Sequence, residues 1–100
     1  MKESIFYVRC STDGGETFEN VSYACVNPLS AILIMRNKVR EKVSQLISSG
    51  LDVRAYQTND SRWPDAWGYA NNGYTIEYGH EKKKIIYEVV DVEDLSSIEE

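Results

Sequence analysis

NPLSAILIMRNKVREKVSQLISSG, residues 27 to 50, is the stretch that decides the fold. Asn27 offers a side-chain acceptor at a helix N-cap, and Pro28 fits the first helical position, where no amide hydrogen bond is lost. Gly50 supplies the stop, because a helix commonly ends on a residue in the left-handed region that glycine tolerates. Between these signals Leu29, Ile32, Met35, Val39, Val43, Leu46 and Ile47 recur at helical spacing, with Lys38, Glu41, Lys42, Gln45 and Ser49 opposite. Two residues break the pattern: Arg36 projects within the apolar stripe and Ile34 into the polar face. The spacing therefore predicts one long amphipathic helix with a single face to bury.

The flanking sequence supplies strands to bury it against. Ser4 to Cys10 is rich in β-branched and aromatic residues, and Asp13-Gly14-Gly15 provides the positive-φ positions of a tight turn, so a second strand is expected from about Thr17 to Val26. After the helix, Leu51 to Gln57 alternates, and Gly73 to Tyr78 pairs with Lys83 to Val92 through a turn at 79–82. The element order is ββαβββ, an α+β fold with one helix on one face of an antiparallel sheet. Residues 1–92 form this domain, and 93–100 form an acidic C-terminal tail expected to be mobile.

The chain has 100 residues, 42% of them apolar, which supports one core and not two. Its net charge is −5, yet residues 1–90 hold 11 basic and 11 acidic side chains, so the excess resides in Asp91, Glu93, Asp94, Glu99 and Glu100. A neutral body lacks the concentrated cationic footprint that direct nucleic-acid binding requires. No apolar run approaches the roughly 20 residues of a membrane span, and no signal pattern opens the sequence, so a cytoplasmic protein is expected. Cys10 falls opposite residue 18 or 19 in the first hairpin, with Cys25 further along; both are read as reduced, buried thiols. The triplets at Asn20 and Asn59 are read as chance matches to glycosylation sites.

Within the first hairpin, Ser11, Asp13, Gly15 and Thr17, followed by Phe18, resemble the Asp-box, the Ser-x-Asp-x-Gly-x-Thr-Trp turn of sialidase-type β-propellers, with Phe18 in place of tryptophan. The resemblance spans eight residues of the 100. It implies a turn tied to its own backbone by the aspartate and hydroxyls with the aromatic packed beneath, and it implies a structural role only. A propeller needs several blades of about 40 residues each, which this chain cannot hold.

Two features suggest binding. Residues 58–72 form a long loop carrying Arg62, Trp63, Trp67 and Tyr69, the residue types that dominate interaction hot spots. Either the tryptophans fold back over a core edge, or at least one is presented to a ligand or partner. The last strand offers Ile85, Tyr87 and Val89 to one face and Ile86, Val90 and Val92 to the other, interrupted by Glu88, so the second face is either shielded by neighbours or covered by another protein. His80 lies in a charged turn without a nucleophile beside it, and Arg54 and Glu77 are read as a cross-strand charge pair. No catalytic residue, metal ligand set or cofactor motif is identified. The sequence therefore points to a non-enzymatic interaction module, self-associating or docking on a larger protein. By size and composition alone it is analogous to small virus- or phage-encoded modulators. A sugar- or nucleotide-binding domain built on the aromatic loop is the alternative, and a small enzyme the third.

Overall fold

A computed structural model describes residues 5–58 and 73–91, with the last of these described by its backbone alone. Five strands and one helix follow in the expected order: β1 (Phe6–Ser11), β2 (Glu19–Asn20), α1 (Pro28–Ser48), β3 (Val53–Thr58), β4 (Gly73–Tyr78) and β5 (Lys83–Asp91). The sheet order is β2-β1-β5-β4-β3 with every pair antiparallel, so the longest strand lies in the centre and α1 packs on one face, chiefly over β1 and β5.

The helix ends behave as their residues require. The Leu29 amide donates to Asn27 Oδ1 at 2.8 Å. At the other end Leu51 N–H reaches the Leu46 carbonyl and Gly50 N–H the Ile47 carbonyl, with Gly50 at φ +81°. Those two bonds close a Schellman motif, which satisfies carbonyls the helix leaves open and turns the chain into β3.

The buried stripe differs from the expected one. Ala31, Ile32, Met35 and Val39 are its centre, whereas Leu29 and Ile47, both expected inside, are exposed. The helix is rotated by roughly 50°, half of its 100° residue step, toward Ala31. Ile34 consequently packs against the core, Arg36 leaves the apolar stripe for solvent, and Lys38 and Lys42 become half-buried. Long lysine stems can cover apolar surface while the ammonium stays wet, which is why polar residue identity misjudged that edge.

Opposite the helix, the core is completed by Phe6, Val8 and Cys10 of β1, Ile76 of β4, and Ile85, Tyr87 and Val89 of β5. The period-2 alternation of β5 therefore puts inside the three residues expected there. The second strand is shorter than expected. It pairs only as Arg9 with Asn20 and Cys10 with Glu19; the Ser22 hydroxyl then accepts the Val8 N–H at 2.8 Å in place of a backbone carbonyl. Pairing resumes only at a single bridge between Phe6 and Cys25. A side chain that competes for a ladder hydrogen bond ends the ladder.

Met35 is wholly buried and Leu29 is not. Met35→Ala is therefore expected to cost about 2–5 kcal/mol, against about 0.5 kcal/mol or less for Leu29→Ala. Urea unfolding of the two variants beside the parent chain checks the assignment, and equal losses would contradict it.

Candidate interaction surface

The sheet face away from the helix is a bonded polar network. Arg9 and Glu88 are cross-strand partners, and the guanidinium donates through Nε at 3.1 Å and Nη2 at 2.7 Å to Glu88 Oε2. The Phe18 ring lies 4.2 Å from the Arg9 guanidinium, so the cation is held between an aromatic face and a carboxylate. Further across, Glu77 accepts from the Tyr56 hydroxyl at 3.0 Å and stands 3.8 Å from Lys84. Arg54 and Glu77 are in register as expected, with the Arg54 guanidinium 5.6 Å from the Tyr56 ring centroid.

The turn at 11–18 is built as the Asp-box resemblance implies. Ser11 Oγ donates to Asp13 Oδ1 at 2.6 Å and accepts from the Gly15 amide at 2.8 Å, while Asp13 also accepts from the Thr17 amide and hydroxyl. The turn folds onto the sheet so closely that a Cβ on Gly15 would stand 3.4 Å from Ile86 Cδ1. This bears on the three residues expected to form an open apolar face. Ile86 is half-buried near the turn, Val90 is completely buried, and Val92 lies outside the described residues. Of the two alternatives the sequence left for this face, Val90 fits shielding within the chain and offers no surface for docking.

On the helix side, a cleft of about 380 Å³ opens between α1 and the β2 edge, lined by Val21, Lys38, Glu41, Lys42, Gln45 and Tyr87. Tyr87 lines this cleft, and its hydroxyl interacts with the neighbouring Cys10 thiol. Burial raises both the thiol and the phenol above their ordinary ranges, so both groups stay protonated near neutrality. A protonated thiol is a poor nucleophile. Cys10 and Cys25 are both free and buried, in agreement with their reading from the sequence.

The remaining feature is apolar and exposed. Tyr23 is 74% exposed, Val26 75%, Leu29 48% and Leu33 52%, all around the start of α1. Leu29, Leu33, Arg36 and Arg40 follow at intervals of four, three and four residues, so they form one outward strip along the helix. All four are exposed. The strip was missed in the sequence because Leu29 was assigned to the core; the available signal was the solid run Ala31 to Met35, too wide for one stripe to absorb.

Arg62, Trp63, Trp67 and Tyr69 lie outside the described residues. The strands that lead to them nevertheless fix where that loop is anchored: Thr58 and Gly73 are cross-strand partners at the sheet end that also carries Phe6 and the start of α1. Among the described residues no group of three or more His, Cys, Asp or Glu side chains could hold a metal, and no helix is long and apolar enough to cross a membrane. His80 sits exposed in the β4–β5 turn. Comparison of the chain with protein-family models, with curated proteins and with solved structures finds no match in any of the three.

Asp13 is held well below the ordinary carboxylate range, first by the Ser11 hydroxyl, then by the hydroxyl and amide of Thr17. A depressed folded-state value contributes stability that is present above the unfolded carboxylate value and is lost as pH falls toward the folded one. The melting-temperature advantage of the parent chain over Asp13→Asn is accordingly expected to hold at neutral pH and to shrink below about pH 4. Thermal melts of both proteins across that window test it, and a pH-independent difference would contradict the charge-based account. For the cysteines, both thiols are expected to resist iodoacetamide in the native chain and to react together once it is unfolded in urea. Fast native labelling at Cys10 would overturn its assignment as a buried structural thiol.

Proposed function

We propose that the chain is a non-enzymatic protein-interaction module that docks through the apolar start of α1. The observation that carries this reading is the concentration of Tyr23, Val26, Leu29 and Leu33, four large apolar residues with about half to three quarters of their surface in water, at one end of the fold. Single exposed apolar residues are common, but a contiguous group rimmed by charge is characteristic of surfaces that partners cover. The titratable groups give the reading further support, since Cys10 and Tyr87 are shifted away from their nucleophilic forms and Asp13 is committed to its turn. The anchoring of the Trp63 and Trp67 loop beside the same end would extend such a surface with hot-spot residue types.

A photoreactive amino acid installed at position 33 tests this in cells of the native host. It is expected to give a discrete cross-linked product, whereas the same residue at position 16, in the turn at the far end of β1, is expected to give none. Indistinguishable labelling at the two positions would overturn the reading.

A further inference from the structure

We infer that the cleft between α1 and the β2 edge binds a small monocarboxylate with an apolar body, its head on Lys38 and Lys42 and its body against Val21 and Tyr87. This site is separate from the docking surface, because Lys38 and Lys42 stand on the other side of α1 from Leu29 and Leu33. A short β2 leaves the space. The strand pairs for two residues only, after which Val21 is held by its amide on the Val8 carbonyl at 2.9 Å. Between this edge and the helix lies the volume of about 380 Å³. Small-molecule sites run from roughly 300 to 1,000 Å³, so the ligand that fits here is a small one.

Charge selects the head group. Lys38 and Lys42 are half-buried, and among the described residues neither makes an ion pair, although Glu41 lines the same cleft. Lysines four residues apart are neighbours on a helix, where like charges repel. An anion held between them removes that repulsion and gains charge-assisted hydrogen bonds. Lys42 Nζ donates to Gln45 Oε1 at 3.2 Å, which leaves its other hydrogens and those of the Gln45 amide nitrogen to a ligand. Two ammonium groups against the Glu41 carboxylate leave the lining one net positive charge. A single carboxylate neutralises it, whereas a phosphate near its second ionisation overshoots.

The remaining wall selects the body. Val21 packs against the core and Tyr87 is buried, so both hold their places before a ligand arrives. Burial keeps the Tyr87 phenol protonated, and it sets no second negative charge against the anion. A bare ion would leave this wall in water, while an alkyl or aryl group on the carboxylate removes apolar surface from water on both sides.

Titration of the isotope-labelled full chain with hexanoate, phenylacetate, acetate, phenylacetamide and inorganic phosphate, followed by amide shifts, tests the site. Hexanoate and phenylacetate are expected to move the amides of Val21, Lys38, Lys42 and Tyr87 along saturating curves, with dissociation constants of about 1 mM or below. Acetate, which lacks the body, phenylacetamide, which lacks the charge, and phosphate are each expected to bind about tenfold more weakly or worse. Lys38→Gln with Lys42→Gln keeps the apolar stems and is expected to weaken both carboxylates about tenfold or more at an unchanged melting temperature. Arg36→Gln with Arg40→Gln, on the outer side of the same helix, is expected to leave them unaffected. Shifts that do not saturate or that centre elsewhere overturn the proposal, as does full affinity in the lysine variant. Equal binding of phenylacetamide, of acetate or of phosphate overturns it too, and that comparison on the parent chain decides the matter if the lysine variant is destabilised. Cross-linking at position 33 judges the docking surface independently of every one of these results.

Discussion

Burial of Ala31, Ile32, Met35 and Val39 against β1, β4 and β5 is the constraint on which the other elements depend. Among the described residues α1 is the helix that covers the five-stranded antiparallel sheet, and it supplies the side chains that dry that face. Ala31 at the centre of the stripe lets the helix turn its bulkier residues to either side of it, and this rotation sends Leu29, Leu33 and Arg36 outward together. The exposed strip and the core are therefore two results of one helix orientation.

The second sheet face is managed by different means. In place of a second helix it has the Arg9–Glu88 ion pair, stacked on Phe18, and a turn at 11–18 that closes on Ile86. Hydrogen bonds from Ser11 and Thr17 to Asp13 make that turn rigid enough to serve as cover. Its aspartate, the most perturbed carboxylate described, is consumed by structure, and the Cys10 thiol is consumed likewise by burial under Tyr87. Among the described residues, Asp13, Cys10 and Tyr87 are thus held by the molecule's own turn and core.

The residues on which the proposed docking rests are gathered at one end. The Thr58–Gly73 pair, the exit of β5 at Asp91, the Phe6–Cys25 bridge and the start of α1 all meet there, and the turns at 12–18 and 79–82 lie at the other. Sheet topology thus brings Thr58, Gly73 and Asp91, far apart in sequence, to the end of the fold where the exposed apolar residues lie.

The sequence by itself determined the element types, their order and the helix ends, because caps, turn glycines and hydrophobic period are local chemistry: Asn27 and Gly50 act on amides and carbonyls within a few residues of themselves. It also determined that Tyr87 faces the core and that Cys10 lies opposite residue 18 or 19, since hairpin register follows from the turn; the structure makes the partner Glu19. Only the tertiary structure decided which part of a broadly apolar helix is buried, because the run from Leu29 to Met35 is apolar on several sides and the choice depends on what the sheet presents. It likewise decided that β2 stops at Asn20, where the Ser22 hydroxyl takes a ladder bond, and that Val90 is buried. Each of those outcomes turns on contacts between residues distant in sequence, and no periodicity within one segment encodes them.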